Sequence, residues 1–103
     1  MTDEHFENAR IGKQANVYFD GKVTSRDVET ADGQRKTLGI MLPGEYTFET
    51  DDEEEIEIVA GELTVDVDGE PTSYEVGDVF TVPPDTEFDL DVETVVDYCC
   101  TYR

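Results

Sequence analysis

Apolar and polar residues alternate in short runs along this chain. Leu63, Val65 and Val67 are interleaved with Thr64, Asp66 and Asp68, and Phe88, Leu90 and Val92 with Asp89, Asp91 and Glu93. A strand points successive side chains to opposite faces, so each run predicts an oily inner face and a carboxylate-rich outer one. Turn signals recur at Asp20-Gly21, Asp32-Gly33, Pro43-Gly44, Gly61, Asp68-Gly69, Gly77-Asp78 and Pro83-Pro84. Between them, β-rich segments fall at 16–19, 22–29, 36–42, 44–50, 55–59, 62–67, 73–76, 79–82, 87–92 and 94–102. No segment carries helical periodicity. Short strands at this spacing predict an all-β sandwich or barrel. Asp68-Gly69 predicts a tight hairpin, because Gly accepts the positive φ that such turns need. Residues 1–15 show no β pattern and read as an N-terminal tail before one domain at 16–103.

Charge changes the picture of the surface, not of the core. The 103 residues hold 27 Asp and Glu against 7 Lys and Arg, for a net charge of −20. The acidity is spread along the whole chain. Such a surface repels nucleic acid and anionic membranes. It also strains the fold by self-repulsion that salt would screen, which reads as adaptation to a salt-rich, halophilic cytoplasm. No apolar run approaches the ~20 residues of a membrane span. The opening MTDEHFENAR has neither a basic nor an apolar leader region, so the expected location is cytoplasmic. Cys99 and Cys100 are adjacent and should face opposite sides of one strand, as reduced packing residues rather than a redox pair.

Two segments resemble the signature of the cupins. Pro43-Gly44-Glu45-Tyr46-Thr47-Phe48, followed by 54–59 and Ala60-Gly61-Glu62-Leu63, is similar to the first cupin motif. Tyr74-Glu75-Val76-Gly77-Asp78-Val79-Phe80-Thr81-Val82-Pro83, continuing to Phe88, is similar to the second, with the Gly77-to-Pro83 spacing of that motif. The resemblance implies a small cupin-type (RmlC-like) β-barrel or jelly roll. Metal cupins hold their ion with histidines. Here the corresponding positions fall near Thr50, Asp52 and Phe88, and the lone histidine is His5 in the tail, so no metal or other cofactor is expected. A carboxylate-only cation site at Asp51, Asp52, Glu54 and Glu57 is the weakest reading.

From about residue 16 to 102 the chain resembles a narrower family, the pyrimidine/purine nucleoside phosphorylases. The matching pieces are Asn16 to Val23, Gly39 to Phe48, Val59 to Leu63, Tyr74 to Pro83, Glu87-Phe88 and Tyr98-Cys99-Cys100-Thr101-Tyr102. The departures are Asp85, Asp89 and Thr101, where that family often carries imidazole or guanidinium groups. The resemblance implies broad-specificity phosphorolysis, in which nucleoside and inorganic phosphate give free base and pentose 1-phosphate in nucleotide salvage. It also implies a homodimer, as cupins protect their edge strands by pairing. The alternative is a cupin that binds a sugar or small metabolite without turning it over.

Phosphorolysis needs a pocket for the phosphate, groups that fix the ribose and a donor for the departing base. Arg35 aligns with a family Arg and is the first candidate for phosphate, with Lys36 and Thr37 beside it and Lys22 as a weaker choice. A turn-edge Arg paired with a surface carboxylate is nearly as good a reading. Tyr46 and Phe48 share one strand face, and Tyr98 and Tyr102 share another. With Phe88 they would stack a flat base without strict choice between ring types, or else form ordinary core. Glu87 aligns with a family Glu and is the candidate for ribose contact or proton relay, against the default of surface carboxylate.

Overall fold

The computed structural model describes residues 4–103. Strands dominate, as the alternation requires: β1 Arg10–Ile11, β2 Asn16–Tyr18, β3 Val23–Glu29, β4 Arg35–Met41, β5 Gly44–Glu49, β6 Glu54–Ala60, β7 Glu62–Val67, β8 Glu70–Glu75, β9 Val79–Val82, β10 Glu87–Val92 and β11 Val96–Tyr102. A single turn of 3-10 helix, Phe19–Gly21, joins β2 to β3. No helix among the described residues is long and apolar enough to cross a membrane.

The strands form two antiparallel sheets. The larger runs β1-β3-β4-β11-β6-β9, with β2 also paired to β3, and the smaller runs β5-β10-β7-β8. Among the described residues every ladder is antiparallel, and none joins one sheet to the other. The expected all-β, cupin-type fold is therefore borne out, and of its two forms, barrel or jelly roll, the chain takes the two-sheet one, its sheets not closed into a barrel. Alternation alone is the same in both, because each strand has one inner face either way. The core lies between the sheets. Ile58, Val23, Val82 and Val96 are fully buried, and Leu63, Val65, Leu90 and Val92 close the smaller sheet over them.

Local chemistry sets the corners. Asp68 and Gly69, at φ 55° and 81°, make the expected hairpin between β7 and β8. The β2–β3 turn is tighter than the Asp20-Gly21 signal suggests, because Phe19 and Asp20 also adopt positive φ, 51° and 57°. A bulky residue rarely does so. Phe19 is kept there by packing its ring 5.0 Å from Tyr46 and 5.3 Å from Phe48. At the N-terminus, Arg10 and Ile11 pair with Glu29 and Val28, so the segment read as tail contributes an edge strand.

Candidate functional site

The inner faces of the sheets do not meet everywhere. A chamber of about 190 Å³ opens between β3, β4, β6 and β11 on one side and β5 and β10 on the other. Phe48, Phe88, Tyr98 and Tyr102 wall it, each brought inward by the period-2 pleat. Phe48 and Phe88 are stacked 6.1 Å apart, and Tyr18 meets Phe48 edge-on at 6.0 Å. Ser25, Glu54 and Cys100 supply the polar groups.

The floor is made by a missing side chain. Ser25, Gly39 and Tyr98 are register partners across β3, β4 and β11. A Cβ on Gly39 would stand 2.6 Å from the Tyr98 hydroxyl and 2.3 Å from the Thr24 carbonyl oxygen. Only Gly lets the phenol lie across β4. Burial pushes the Tyr98 phenol well above its ordinary range, so it stays protonated.

Outside this chamber lies a wider vestibule of about 610 Å³. Tyr18, Glu49, Glu54 and Tyr102 line both spaces and form the neck between them. Arg10, Arg35 and Thr37 border the vestibule, together with Asp27, Glu29, Asp51 and Asp52. Arg35 sits with its guanidinium carbon 5.7 Å from the centre of the Tyr102 ring and donates to Asp52 at 3.5 Å. Its side chain is 68% exposed. The Thr37 hydroxyl lies 3.3 Å from that of Tyr102. Asn16 donates to Ser25 at 3.2 Å and to Asp27 at 3.0 Å, which fixes the far wall.

Glu54 opens β6 on the same face as the core residues Ile56 and Ile58. The Cys100 thiol donates to its Oε1 at 3.4 Å. Burial pushes the Glu54 carboxyl above its ordinary range; the Cys100 hydrogen bond opposes this and the charges of Asp51 and Asp52 add to it. Burial likewise raises both thiols, with Glu54 adding to the effect at Cys100.

The sequence candidates divide accordingly. Arg35, Thr37, Phe48, Phe88, Tyr98 and Tyr102 converge on the two spaces. Lys36 also borders the vestibule, but its side chain turns to the other face of β4, where the ammonium donates to Thr101 at 2.7 Å. Tyr46 is core, and its hydroxyl donates to the Leu42 carbonyl at 2.6 Å. Glu87 is exposed and lines neither space. Lys22 is exposed at the β2–β3 turn. Thr50, at a former ligand position, is buried and donates to the Pro83 carbonyl. Among the described residues no three His, Cys, Asp or Glu side chains come together as metal ligands, and Glu57 lies on the outer face beside Cys99. Sequence reading passed over Tyr18, Glu49 and Ser25, and it placed Cys100 on the face of Tyr98 and Tyr102 without giving it a role. It set Glu54 among four neighbouring acids that only burial distinguishes.

Two antiparallel sheets packed around an aromatic chamber, open at one end, define a small protein with a cupin-like fold. An RmlC-like cupin from Shewanella frigidimarina superposes with a TM-score of 0.70 at 23% identity, covering 97% of this chain and 90% of that one. Residues 13–102 match the family described as pyrimidine/purine nucleoside phosphorylase, and the chain belongs to that family. A relative of that name from Clostridioides difficile is 54% identical over 99 residues, covering 94% of each chain. One from Sulfurimonas denitrificans is 52% identical over 98 residues, covering 94% of this chain and 95% of its own. A solved Acinetobacter protein, described as of unknown function, superposes with a TM-score of 0.92 at 37% identity, covering 96% of this chain and 98% of that one.

Proposed function

We propose that this chain carries out phosphorolysis of purine and pyrimidine nucleosides, with the base in the inner chamber, the ribose at the neck and phosphate at the rim beside Arg35. The observation that carries the reading is the position of Tyr102. Its ring walls the aromatic chamber and also lies under the Arg35 guanidinium. A chamber of about 190 Å³ is smaller than the ~300–1,000 Å³ pockets that take a whole drug-sized ligand, so it suits one flat ring system, with the remainder outside. Its aromatic walls offer π-faces to any base and few hydrogen-bonding groups to choose between them.

Phosphate must displace Asp52 from Arg35. An exposed ion pair of this kind is worth ~0–1 kcal/mol, whereas a bidentate guanidinium–phosphate contact is charge-assisted at two points. The exchange therefore favours the dianion. Thr37 and Tyr102 present hydroxyls on the same side. Aligned phosphate and ribose then gain the advantage of proximity as the glycosidic carbon becomes cationic. Asp85, Asp89 and Thr101 line neither space, so these departures leave the proposed machinery untouched.

The test is base release from uridine and inosine in high salt, with and without phosphate. Release that requires phosphate is expected. Arg35→Ala should raise the KM for phosphate about 10- to 100-fold, the worth of a charged hydrogen bond. A folded protein that binds nucleoside without releasing base would instead be the non-catalytic binding module.

A further inference from the structure

Phosphorolysis moves a proton as well as a glycosyl group. Monohydrogen phosphate enters with a proton, pentose 1-phosphate leaves without it, and the free base leaves carrying one. On the reading above, donor and acceptor stand on either side of the neck. Of the carboxylates that border the vestibule, Glu49 and Glu54 also line the inner chamber. The pleat separates these two. Glu49 follows Phe48 on β5, is exposed and faces Glu87 across the ladder. Glu54 shares its strand face with Ile56, is half-buried and is held by the Cys100 thiol at 3.4 Å.

We propose that Glu54 is the general acid that protonates the leaving base and is recharged by the incoming phosphate. As the C1′–N bond breaks, its electron pair stays on the base nitrogen, which takes the proton from the Glu54 carboxyl. A phosphate oxygen forms the new C1′–O bond. The remaining phosphate proton passes to the Glu54 carboxylate, so the residue ends as it began and no external acid is consumed. A carboxyl suits this task when its affinity for a proton is drawn toward neutrality. Partial burial does that here, and Asp51 and Asp52 reinforce it. Tyr18, Glu49 and Tyr102 are the other titratable groups at the neck; Cys100 and Tyr98 border it from the chamber, and Arg35, Asp51 and Asp52 from the vestibule. Burial keeps the Cys100 thiol and the Tyr102 phenol protonated, and Glu49 is exposed, which leaves Glu54 as the half-buried carboxyl at the neck.

This inference rests on the phosphorolysis reading, and the substrate pair inosine and 7-methylinosine separates the two. Alkylation at N7 lets that base leave without taking a proton. Glu54→Gln should lose about 10²- to 10⁴-fold in kcat on inosine, the usual worth of a positioned acid, and far less on 7-methylinosine. The high-pH limb of the wild-type inosine profile should disappear in the variant. Turnover of 7-methylinosine by the same preparation also reports that the variant is folded. Equal losses on both substrates, or none on either, would overturn the role of Glu54 and leave phosphorolysis standing. A wild type inert toward both would overturn phosphorolysis itself.

Discussion

Raising KCl from about 0.1 M to about 1 M shortens the Debye length from about 10 Å to about 3 Å, and it should stabilise this fold. The reason lies in carboxylates that stand opposite one another across the smaller sheet. Glu87 stands opposite Glu49, Asp91 opposite Glu45, Asp89 opposite Asp66 and Glu62 opposite Glu75. Directly opposed side chains have Cβ atoms about 4.5–5.5 Å apart, and like charges there cost about 0.2–1 kcal/mol. On the larger sheet, by contrast, Glu29 stands between Arg10 and Arg35. Screening the four repulsive pairs is worth about 1–4 kcal/mol together. At about 4–8 °C per kcal/mol for a domain near this size, the melting midpoint should climb by at least about 4 °C. Thermal melts followed by circular dichroism at constant pH measure it. Glu62→Lys, which turns one repulsive pair into an attractive one across from Glu75, should raise the low-salt midpoint and shrink the salt response. A midpoint that stays level or falls with KCl would refute the argument, as would a Glu62→Lys protein that melts like wild type in low salt.

The remaining predictions concern the interior. Gly39→Ala forces a methyl against the Thr24 carbonyl and the Tyr98 ring, so it should cost upwards of about 1–3 kcal/mol by denaturant titration and weaken nucleoside binding as the ring is driven into the chamber. Cys99 and Cys100 are 5% and 2% exposed with raised thiol pKa values, so a thiol reagent at mildly alkaline pH should modify neither until denaturant is added. Glu54 has a folded-state pKa above its unfolded one. Its contribution to stability is therefore present below the unfolded pKa and lost as pH rises through the folded pKa. Glu54→Gln should accordingly melt above wild type at neutral pH, with the gap closing in acid, and a constant gap across that range would contradict the assignment.

Much of the fold could be read from residue order, because period-2 alternation and turn chemistry are local. The segments read at 62–67, 79–82 and 87–92 coincide with β7, β9 and β10. Other features escaped for identifiable reasons. A two-residue edge strand such as Arg10–Ile11 is too short to show a period. β8 begins at Glu70 rather than Ser73, and Pro71 is tolerated there because β8 is an edge strand with no neighbour on its far side. Whether the sheets close on each other depends on ladders between distant strands, which alternation does not encode. At the site, the shared face of Tyr98 and Tyr102 followed from spacing alone. The same parity, applied strictly, sets Lys36 opposite Arg35 and Glu87 opposite Phe88. Glu54 was hidden among Asp51, Asp52, Glu53 and Glu55, since composition is blind to which carboxylate a pleat turns inward.

The left-handed turn at Phe19 bears on how forgiving the chamber is. Holding a bulky residue there costs about 1–3 kcal/mol. Its two ring contacts, with Tyr46 and Phe48, return about 0.5–1.5 kcal/mol each. The sums nearly cancel, so the hairpin that carries Tyr18 is clamped only weakly, while the opposite wall is stiffened by the ladders that join β11 to β4 without a break and to β6 from Tyr98 onward. A vessel with a rigid back and a compliant front would adjust its width by moving one aromatic flap. On the proposed reading, tolerance of guests of unequal size would then be a mechanical property of the turn, separate from the chemistry of the wall.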